Sequence, residues 1–223
     1  SVGGMVANRK TFSNILMPNV HHLRHTHLPE NLFVKGEPEI GDYLAEDLER
    51  IAANIGGENI AACIVEPIAG STGALVPPKG YLNKLREICD KYGILLIFDE
   101  VITGWGRTGE PFAAQAFGVT PDIITMAKGI TNGVMPLGAV ASREKIYDTI
   151  LDASPTGAVE FFHGYTYSAI PPSIAAGLAM QDIIEKENLI QRSKDMSPYF
   201  LDGLFSLEDI DIITDIRGYG MLG

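Results

Sequence analysis

The feature that most constrains the fold of this 223-residue chain is a series of short apolar runs that alternate with amphipathic helical segments. Each run is bounded by charged or turn-forming residues, as expected of strands buried inside a sheet. Strands that alternate with helices favour a parallel sheet covered by helices on both faces. The predicted strands are 60–65, 94–98, 123–126, 137–141 and 210–216, and the predicted helices are 42–55, 81–91, 143–151, 173–186 and 188–204.

Charged side chains follow three of these predicted strands. Glu66 comes after the first strand, Asp99 after the second, and Lys128 just beyond the third. In open α/β sheets, ligands bind beyond the carboxyl ends of the strands. The sequence therefore predicts a functional site where these three side chains meet.

Two interpretations of Asp99 and Lys128 follow from their chemistry alone. In the first, the two side chains form an ion pair that closes the sheet edge. In the second, Lys128 lies in apolar surroundings, which destabilise its ammonium form and make the amine a nucleophile. Such an amine can form a Schiff base with an aldehyde cofactor such as pyridoxal phosphate, whose ring nitrogen requires a carboxylate partner.

Composition and charge argue against several classes of partner. The chain carries 28 acidic and 17 basic residues, a net charge of −11, whereas nucleic acids and anionic membranes attract a basic face. No apolar run approaches the roughly 20 residues of a membrane span. Cys63 and Cys89 lie in apolar periodic segments, so we expect reduced core cysteines, and hence a cytoplasmic protein, rather than a disulfide.

A glycine-rich turn allows a nicotinamide cofactor as an alternative. Gly104, Gly106 and Gly109 have the spacing of a dinucleotide-binding turn, and Asp122 follows at about the expected distance. However, residues 99–103 separate the strand from the first glycine, and only a short helical stretch follows the last one. The sequence therefore favours an ordinary turn that needs positive φ angles.

Four of the five histidines cluster within 21–27. His21 and His25 are four residues apart, a spacing that could hold a metal on a helix. Flanking prolines disfavour a long helix, and no cysteine or carboxylate pair lies nearby. We therefore predict a polar loop that lies on the surface or lines a cleft, and no metal site.

The order of several motifs along the chain resembles the class III pyridoxal-phosphate aminotransferases. Within that family, the chain is most similar to the omega-amino acid–pyruvate aminotransferases, through two stretches at 22–27 and 69–73. The motifs that carry the family resemblance are Val65-Glu66-Pro67, 76–81, Phe98-Asp99-Glu100-Val101, Gly104-Trp105-Gly106-Arg107, Met126-Ala127-Lys128-Gly129, Asn132-Gly133 and His163-Gly164-Tyr165-Thr166-Tyr167.

The resemblance implies the three-layer α/β/α large domain of the fold type I pyridoxal-phosphate transferases, with a mostly parallel sheet. It implies that residues 1–205 belong to this cofactor-binding domain, without its N-terminal part, and that 206–223 begin a truncated small C-terminal domain. The turn-rich end of the sequence likewise predicts a piece of a longer chain. The phosphate cup, the aromatic that stacks on the cofactor and the carboxylate-binding arginine are then expected outside residues 1–223.

The resemblance also assigns roles to single residues. Lys128 matches the catalytic lysine that binds the cofactor and moves the proton, and Asp99 matches the partner of the ring nitrogen. Val101 matches the residue that packs on the ring. Glu66 matches a carboxylate near the substrate, with a non-catalytic strand-end acid as the alternative. Thr166 matches a phosphate ligand donated across a dimer interface.

Thr166 also has a position that can be interpreted without the family. It lies just before the predicted helix 173–186, where free backbone N–H groups favour an anion. The alternative is a threonine that caps the helix and touches no ligand.

The implied reaction is the transfer of an amino group from an omega-amino acid or amine to pyruvate or a similar oxo acid. The implied assembly is a homodimer or larger homo-oligomer, without nucleic-acid or membrane partners. Two alternatives stay open. One is a catalytically silent module of the same fold, and the other is a nicotinamide-dependent oxidoreductase.

Two positions depart from the family pattern. Many members have glutamine after the Asp-Glu-Val motif, where it contacts the ring hydroxyl, but Ile102 cannot form that hydrogen bond. Many also have histidine before the proline that follows the Thr-Tyr motif. Here Ile170 precedes Pro171 and Pro172, which predicts an altered start of the next helix.

Overall fold

Four strands form one sheet in the computed structural model, which describes residues 2–158 and 161–223. The sheet order follows the chain order. The strands are β1 (Ala62–Val65), β2 (Leu95–Asp99), β3 (Ile123–Met126) and β4 (Ala139–Ser142). The helices are α1 (Val6–Thr11), α2 (Glu46–Ile55), α3 (Tyr81–Tyr92), α4 (Ala113–Ala116), α5 (Glu144–Ala153), α6 (Pro171–Lys186) and α7 (Leu189–Phe205).

The sheet is mostly parallel, as predicted. Strands β1, β2 and β3 run parallel, and β4 pairs antiparallel with β3. In the register, Val65 pairs with Phe98, and Asp99 pairs with Thr125. This register sets the relative heights of the three strand ends that carry the candidate site.

One face of the sheet packs against helices α2 and α3. Alternation along β2 turns Leu96 and Phe98 toward this side, where both are fully buried. They pack in one cluster with Cys63 of β1 and with Leu85 and Cys89 of α3. Both cysteines are free and buried, as predicted.

The other face of the sheet is less covered within the described residues. Ile64 of β1 is 42% exposed and Val140 of β4 is 69% exposed. Helices α6 and α7 pack against each other, and α6 also packs on the turn Lys128–Ile130 that follows β3. The α/β class is thus confirmed, and the helical layer on the α3 side is the one that the sheet residues bury.

The five predicted helices all form, with small shifts at their ends. The predicted helix 42–55 is divided into a 3₁₀ turn, Asp42–Ala45, and α2. Helix α6 begins at Pro171, two residues before its predicted start. Proline is tolerated there because the N–H groups of the first turn have no partner within the helix. Within the described part of the chain, we find no helix with the length and apolar character needed to cross a bilayer.

The strand predicted at 210–216 is wrong. These residues form turns and irregular backbone, and Ile210 and Ile212 are 46% and 84% exposed. Their alternation resembles that of a strand, but an isolated strand is unstable without a neighbour to pair with. Among the described residues, no strand pairs with this segment.

The C-terminal residues return to earlier parts of the chain after α7 ends at Phe205. The Gly36 N–H donates to the Gly218 carbonyl at 3.0 Å, and the Met221 N–H donates to the Arg107 carbonyl at 2.8 Å. The domain boundary between residues 205 and 206 stays a prediction.

The Asp122 carboxylate connects the N-terminal end of β2 to helix α3 and to the start of helix α5. Its Oδ2 accepts hydrogen bonds from the Leu96 N–H at 2.8 Å and from Arg86 of α3 at 2.7 Å. Its Oδ1 lies 3.3 Å from the Arg143 Nε, next to α5. Burial raises the pKa of Asp122, but the hydrogen bonds from Leu96 and Arg86 and the charge of Arg143 outweigh it, so that the net pKa is lowered.

We expect Asp122→Asn to reduce the free energy of unfolding at pH 7 by about 1–3 kcal/mol, because the substitution removes the charge from this hydrogen-bonded group. A carboxyl with a lowered folded pKa stabilises fully above its unfolded pKa of about 4, and this stabilisation is lost as the pH falls through the folded pKa. The difference from wild type should therefore shrink below about pH 4. Urea denaturation across this range measures it. Asp209→Asn, at an exposed position, is the control; a pH-independent difference would contradict the assignment.

Candidate active site at the strand ends

The parallel register brings the predicted site residues to one edge of the sheet. Asp99 is the last residue of β2 and pairs with Thr125 of β3, three residues before Lys128. Glu66 follows Val65, which pairs with Phe98, so Glu66 lies at the level of Asp99 on the neighbouring strand. Adjacent strands are about 4.8 Å apart. The three ends predicted to converge do lie side by side.

One carboxylate oxygen of Asp99 accepts a hydrogen bond from the protein, and the other is free to accept one from a ligand. Alternation along β2 places its side chain on the face opposite to Phe98. The Val101 N–H donates to Oδ1 at 3.1 Å, which fixes the plane of the carboxylate. Oδ2 accepts no hydrogen bond from any residue that the structure describes. Val101 is half-buried in the same turn, so both predicted ring-contacting residues lie together.

Lys128 begins the 3₁₀ turn Lys128–Ile130 directly after β3. Its side chain is exposed, so the apolar surroundings expected from the sequence are not formed by the described residues. No ion pair joins Lys128 to Asp99 or to another residue in 2–158 and 161–223. The simple ion-pair interpretation is therefore wrong for this part of the chain, and the amine is available for other chemistry.

The loop after β1 fixes Glu66. The Gly70 N–H donates to Glu66 Oε2 at 2.9 Å, and the loop closes through paired hydrogen bonds between Ala69 and Leu75. Ile102 packs on this loop, since a Cβ built at Gly70 would lie 2.5 Å from Ile102 Cδ1. The isoleucine that cannot hydrogen-bond thus makes an apolar contact that joins the Glu66 loop to the turn after Asp99.

Glu100 is a buried acid that sequence reasoning did not place in the site. It is 0% exposed and accepts hydrogen bonds from Thr103 Oγ1 at 2.9 Å and from the N–H groups of Ala113 and Ala114 at 2.6 and 2.8 Å. Burial raises its pKa against the lowering effect of these donors. The sequence feature that could have identified Glu100 is an acidic residue directly after Asp99 and before a glycine-rich turn.

The glycine-rich segment does not have the geometry of a dinucleotide-binding site. Residues 101–110 form successive turns, and the Gly104 N–H donates back to the Glu100 carbonyl at 3.0 Å. The helix that follows, α4, has only four residues. Gly106 and Gly109 have φ angles of +95° and +86°, as the turn interpretation predicts.

Thr166 is exposed in a turn in which the Ser168 N–H donates to the Tyr165 carbonyl. It does not cap α6, whose N-cap is Ile170. The first two positions of α6, Pro171 and Pro172, have no N–H groups to offer an anion, so the helix start provides fewer donors than expected. Thr166 therefore lies in the turn that precedes α6, and its hydroxyl has no hydrogen-bond partner among the described residues.

The histidine segment forms a loop rather than a helix, as predicted. His22 contacts the Arg9 guanidinium at 2.8 Å, and His27 lies 3.2 Å from the Arg217 guanidinium. The described residues contain no cluster of three or more acidic, histidine or cysteine side chains suited to a metal ion.

The donor set at the strand ends suits pyridoxal phosphate. An amine without an ion-pair partner can bind its aldehyde carbon, and a carboxylate oxygen without a donor can accept from its ring N–H. A free hydroxyl, Thr166, can donate to a phosphate oxygen. Lys128 and Glu66 are exposed, so the strand ends form one side of a site rather than an enclosed cavity. Thr166 is also exposed, but it lies outside this edge of the sheet, in the turn before α6.

Comparisons with known proteins identify the family of this chain. The family model for aminotransferase class III matches residues 2–223. An omega-aminotransferase of Caulobacter vibrioides is 55% identical over 223 residues, which are 100% of this chain and 50% of that protein. The beta-alanine–pyruvate aminotransferase of Pseudomonas aeruginosa is 49% identical over 225 residues, with the same coverage of 100% and 50%.

The fold of a solved relative is also similar. The crystal structure of an (S)-enantioselective omega-transaminase from Thermomicrobium roseum superposes with a TM-score of 0.75 at 44% identity, covering 79% of this chain and 39% of that one. The chain spans about half the length of the curated relatives it matches. With the family match along nearly all of its residues, the chain belongs to the class III aminotransferases.

Proposed function

We propose that the protein containing this chain is a pyridoxal-phosphate-dependent aminotransferase that passes the amino group of an omega-amino acid or amine to pyruvate or a similar oxo acid. The observation that carries the proposal is the placement of Lys128 beside Asp99 at adjacent strand ends, each with a group left free for a ligand. The names of the relatives, which include omega-amino acid and beta-alanine donors with pyruvate, support the substrate class.

When bound, pyridoxal phosphate supplies an aldehyde carbon that accepts an amine and a ring that withdraws electrons from the substrate carbon. Asp99 holds a proton on the ring nitrogen, because its charge and its free Oδ2 favour the protonated form. Lys128 would hold the cofactor through Nζ at its aldehyde carbon. The same amine would also serve as the group that moves a proton between the substrate and cofactor carbons.

Glu66 and Ile102 define the substrate side of the site in this proposal. The Glu66 carboxylate is exposed and held by Gly70, so it can pair with a cationic group of the protein or of an amine substrate. Ile102 packs on the same loop and supplies an apolar wall. The non-catalytic alternative for Glu66 predicts that its removal changes neither kcat nor KM.

The alternative functions make different predictions. A nicotinamide-dependent oxidoreductase is disfavoured by the geometry of residues 101–110, where no glycine turn opens a long helix. A catalytically silent module of the same fold would bind no cofactor at Lys128. Neither alternative uses the free groups of Asp99 and Lys128.

We also propose that the working unit is at least a dimer. Exposed aromatic residues flank Thr166 in the sequence, including Phe162 and Tyr167. Exposed apolar patches mark surfaces that other protein segments cover. In this arrangement the Thr166 hydroxyl would reach the phosphate held in the site of a second copy.

We expect Lys128→Ala in the full-length protein to abolish both covalent cofactor attachment and transamination, because no other amine lies at this strand end in the proposed site. Borohydride reduction followed by peptide mass spectrometry should place the cofactor mass on the wild-type peptide that contains Lys128. Lys145→Ala, at an exposed lysine of α5, should keep the label. A label on another lysine would rule out the assignment.

Asp99→Asn should retain the cofactor but slow the half-reaction with amine by on the order of 100-fold, since a neutral amide does not hold the ring proton. Single-turnover kinetics measures this rate directly. If the half-reaction proceeds at the wild-type rate, Asp99 has only a structural role.

Thr166→Ala should weaken cofactor affinity by about 1–2 kcal/mol, because hydrogen bonds to charged groups are stronger than those between neutral groups. Mixing full-length Thr166→Ala and Lys128→Ala chains tests whether the contact crosses between subunits. A mixed dimer would contain one site with both an intact Lys128 and an intact Thr166, and that site should bind cofactor with wild-type affinity. Confirmed heterodimers without any such site would reject the shared arrangement.

A further inference from the structure

Lys128 and Trp105 both have strained backbones. Lys128 has φ +44° and Trp105 has φ +64°, in the left-handed region that residues other than glycine rarely occupy. Such conformations persist only where the surrounding structure determines them, and they cluster at active sites. Neighbouring groups must therefore hold Lys128 in this conformation.

Trp105 lies directly against the residue that follows Lys128. A Cβ built at Gly129 would lie 2.7 Å from Trp105 Cβ and 2.9 Å from both Cγ and Cδ1. Gly129 does not itself have a positive φ angle, so glycine is required there for space rather than for backbone freedom. The tryptophan side chain thus occupies the position that a side chain at 129 would need.

Trp105 is held on its other sides. Its backbone N–H donates to the Pro111 carbonyl at 2.7 Å, and its ring packs edge-on against the Phe112 ring at a centroid distance of 5.4 Å. The buried Nε1 has no hydrogen-bond partner among the described residues, so packing rather than a polar contact holds the indole.

The loop that carries Trp105 is anchored to the sheet by Glu100. The buried carboxylate binds the loop at Thr103 and again at Ala113 and Ala114, on either side of Trp105. The Glu100 N–H also donates to the Thr125 carbonyl of β3 at 2.9 Å. A continuous set of contacts therefore runs from the sheet through Glu100 and Trp105 to Gly129.

We infer that Trp105 is a positioning residue that holds Lys128 in its left-handed conformation by packing on Gly129, with Glu100 as its anchor. The inference rests on the proposed function for its catalytic consequence. Without the indole, the turn Lys128–Ile130 can relax and redirect the lysine side chain. A displacement of about 1 Å at a reacting group can cost on the order of 100-fold in rate.

The matched variants are Trp105→Ala and Trp105→Phe in the full-length protein. Phenylalanine keeps the Cβ, Cγ and Cδ1 atoms that contact Gly129, whereas alanine keeps only Cβ. The first measurement needs no cofactor: amide hydrogen exchange of the peptide 126–132 in the apoprotein. The amides that report on the turn are those of Ile130, Thr131 and Asn132, which donate to the carbonyls of Ala127, Lys128 and Gly129.

Trp105→Ala should speed exchange in this peptide by about tenfold or more, because the turn opens more often, and Trp105→Phe should restore most of the protection. In the cofactor-loaded enzyme, Trp105→Ala should lower kcat by on the order of 100-fold with little change in KM, and Trp105→Phe should recover most of it. Tyr147→Ala, which removes an exposed aromatic of α5, serves as the control.

Unchanged exchange and kcat in Trp105→Ala would overturn the inference. So would a general loss of protection with no recovery in Trp105→Phe, since that pattern describes a structural residue. If wild type binds no cofactor at Lys128, the proposed function fails, yet the exchange comparison still decides whether Trp105 holds the turn.

Discussion

Parallel pairing of β1, β2 and β3 is the constraint on which the rest of the site depends. The register that aligns Val65 with Phe98 and Asp99 with Thr125 places three functional groups at one edge. Because side chains alternate along a strand, a shift of one residue in β2 would turn Asp99 toward α3 and Phe98 toward the open face. The full burial of Phe98 opposes that shift, so the apolar core determines the position of the carboxylate.

Two further carboxylates secure the two ends of β2. Asp122 binds the Leu96 N–H near the start of the strand, and Glu100 binds the loop that follows its end. Neither has a role in the proposed chemistry. Buried charges of this kind are stable only when hydrogen-bonded, and both have several donors. Their hydrogen bonds hold both ends of this short strand in place, and so fix the position of Asp99.

The sequence predicts the four strands of the sheet well because each is a short apolar run bounded by charged or turn-forming residues. The alternation at Ile210 and Ile212 misleads, because periodicity does not reveal whether a partner strand exists. The exposure of Lys128 was also unpredictable, since the burial of a strand-end side chain depends on segments distant in sequence. The proposed role of Val101 and the action of Thr166 across a dimer interface are implied by the resemblance alone, as no spacing rule identifies them.

The most direct test of the account is a crystal structure of the full-length protein grown with pyridoxal phosphate. We expect continuous density from Lys128 Nζ to the aldehyde carbon of the cofactor, and an Asp99 carboxylate oxygen about 2.7–3.0 Å from its ring nitrogen. Cofactor attached to a different lysine, or a ring nitrogen that faces away from Asp99, would contradict it.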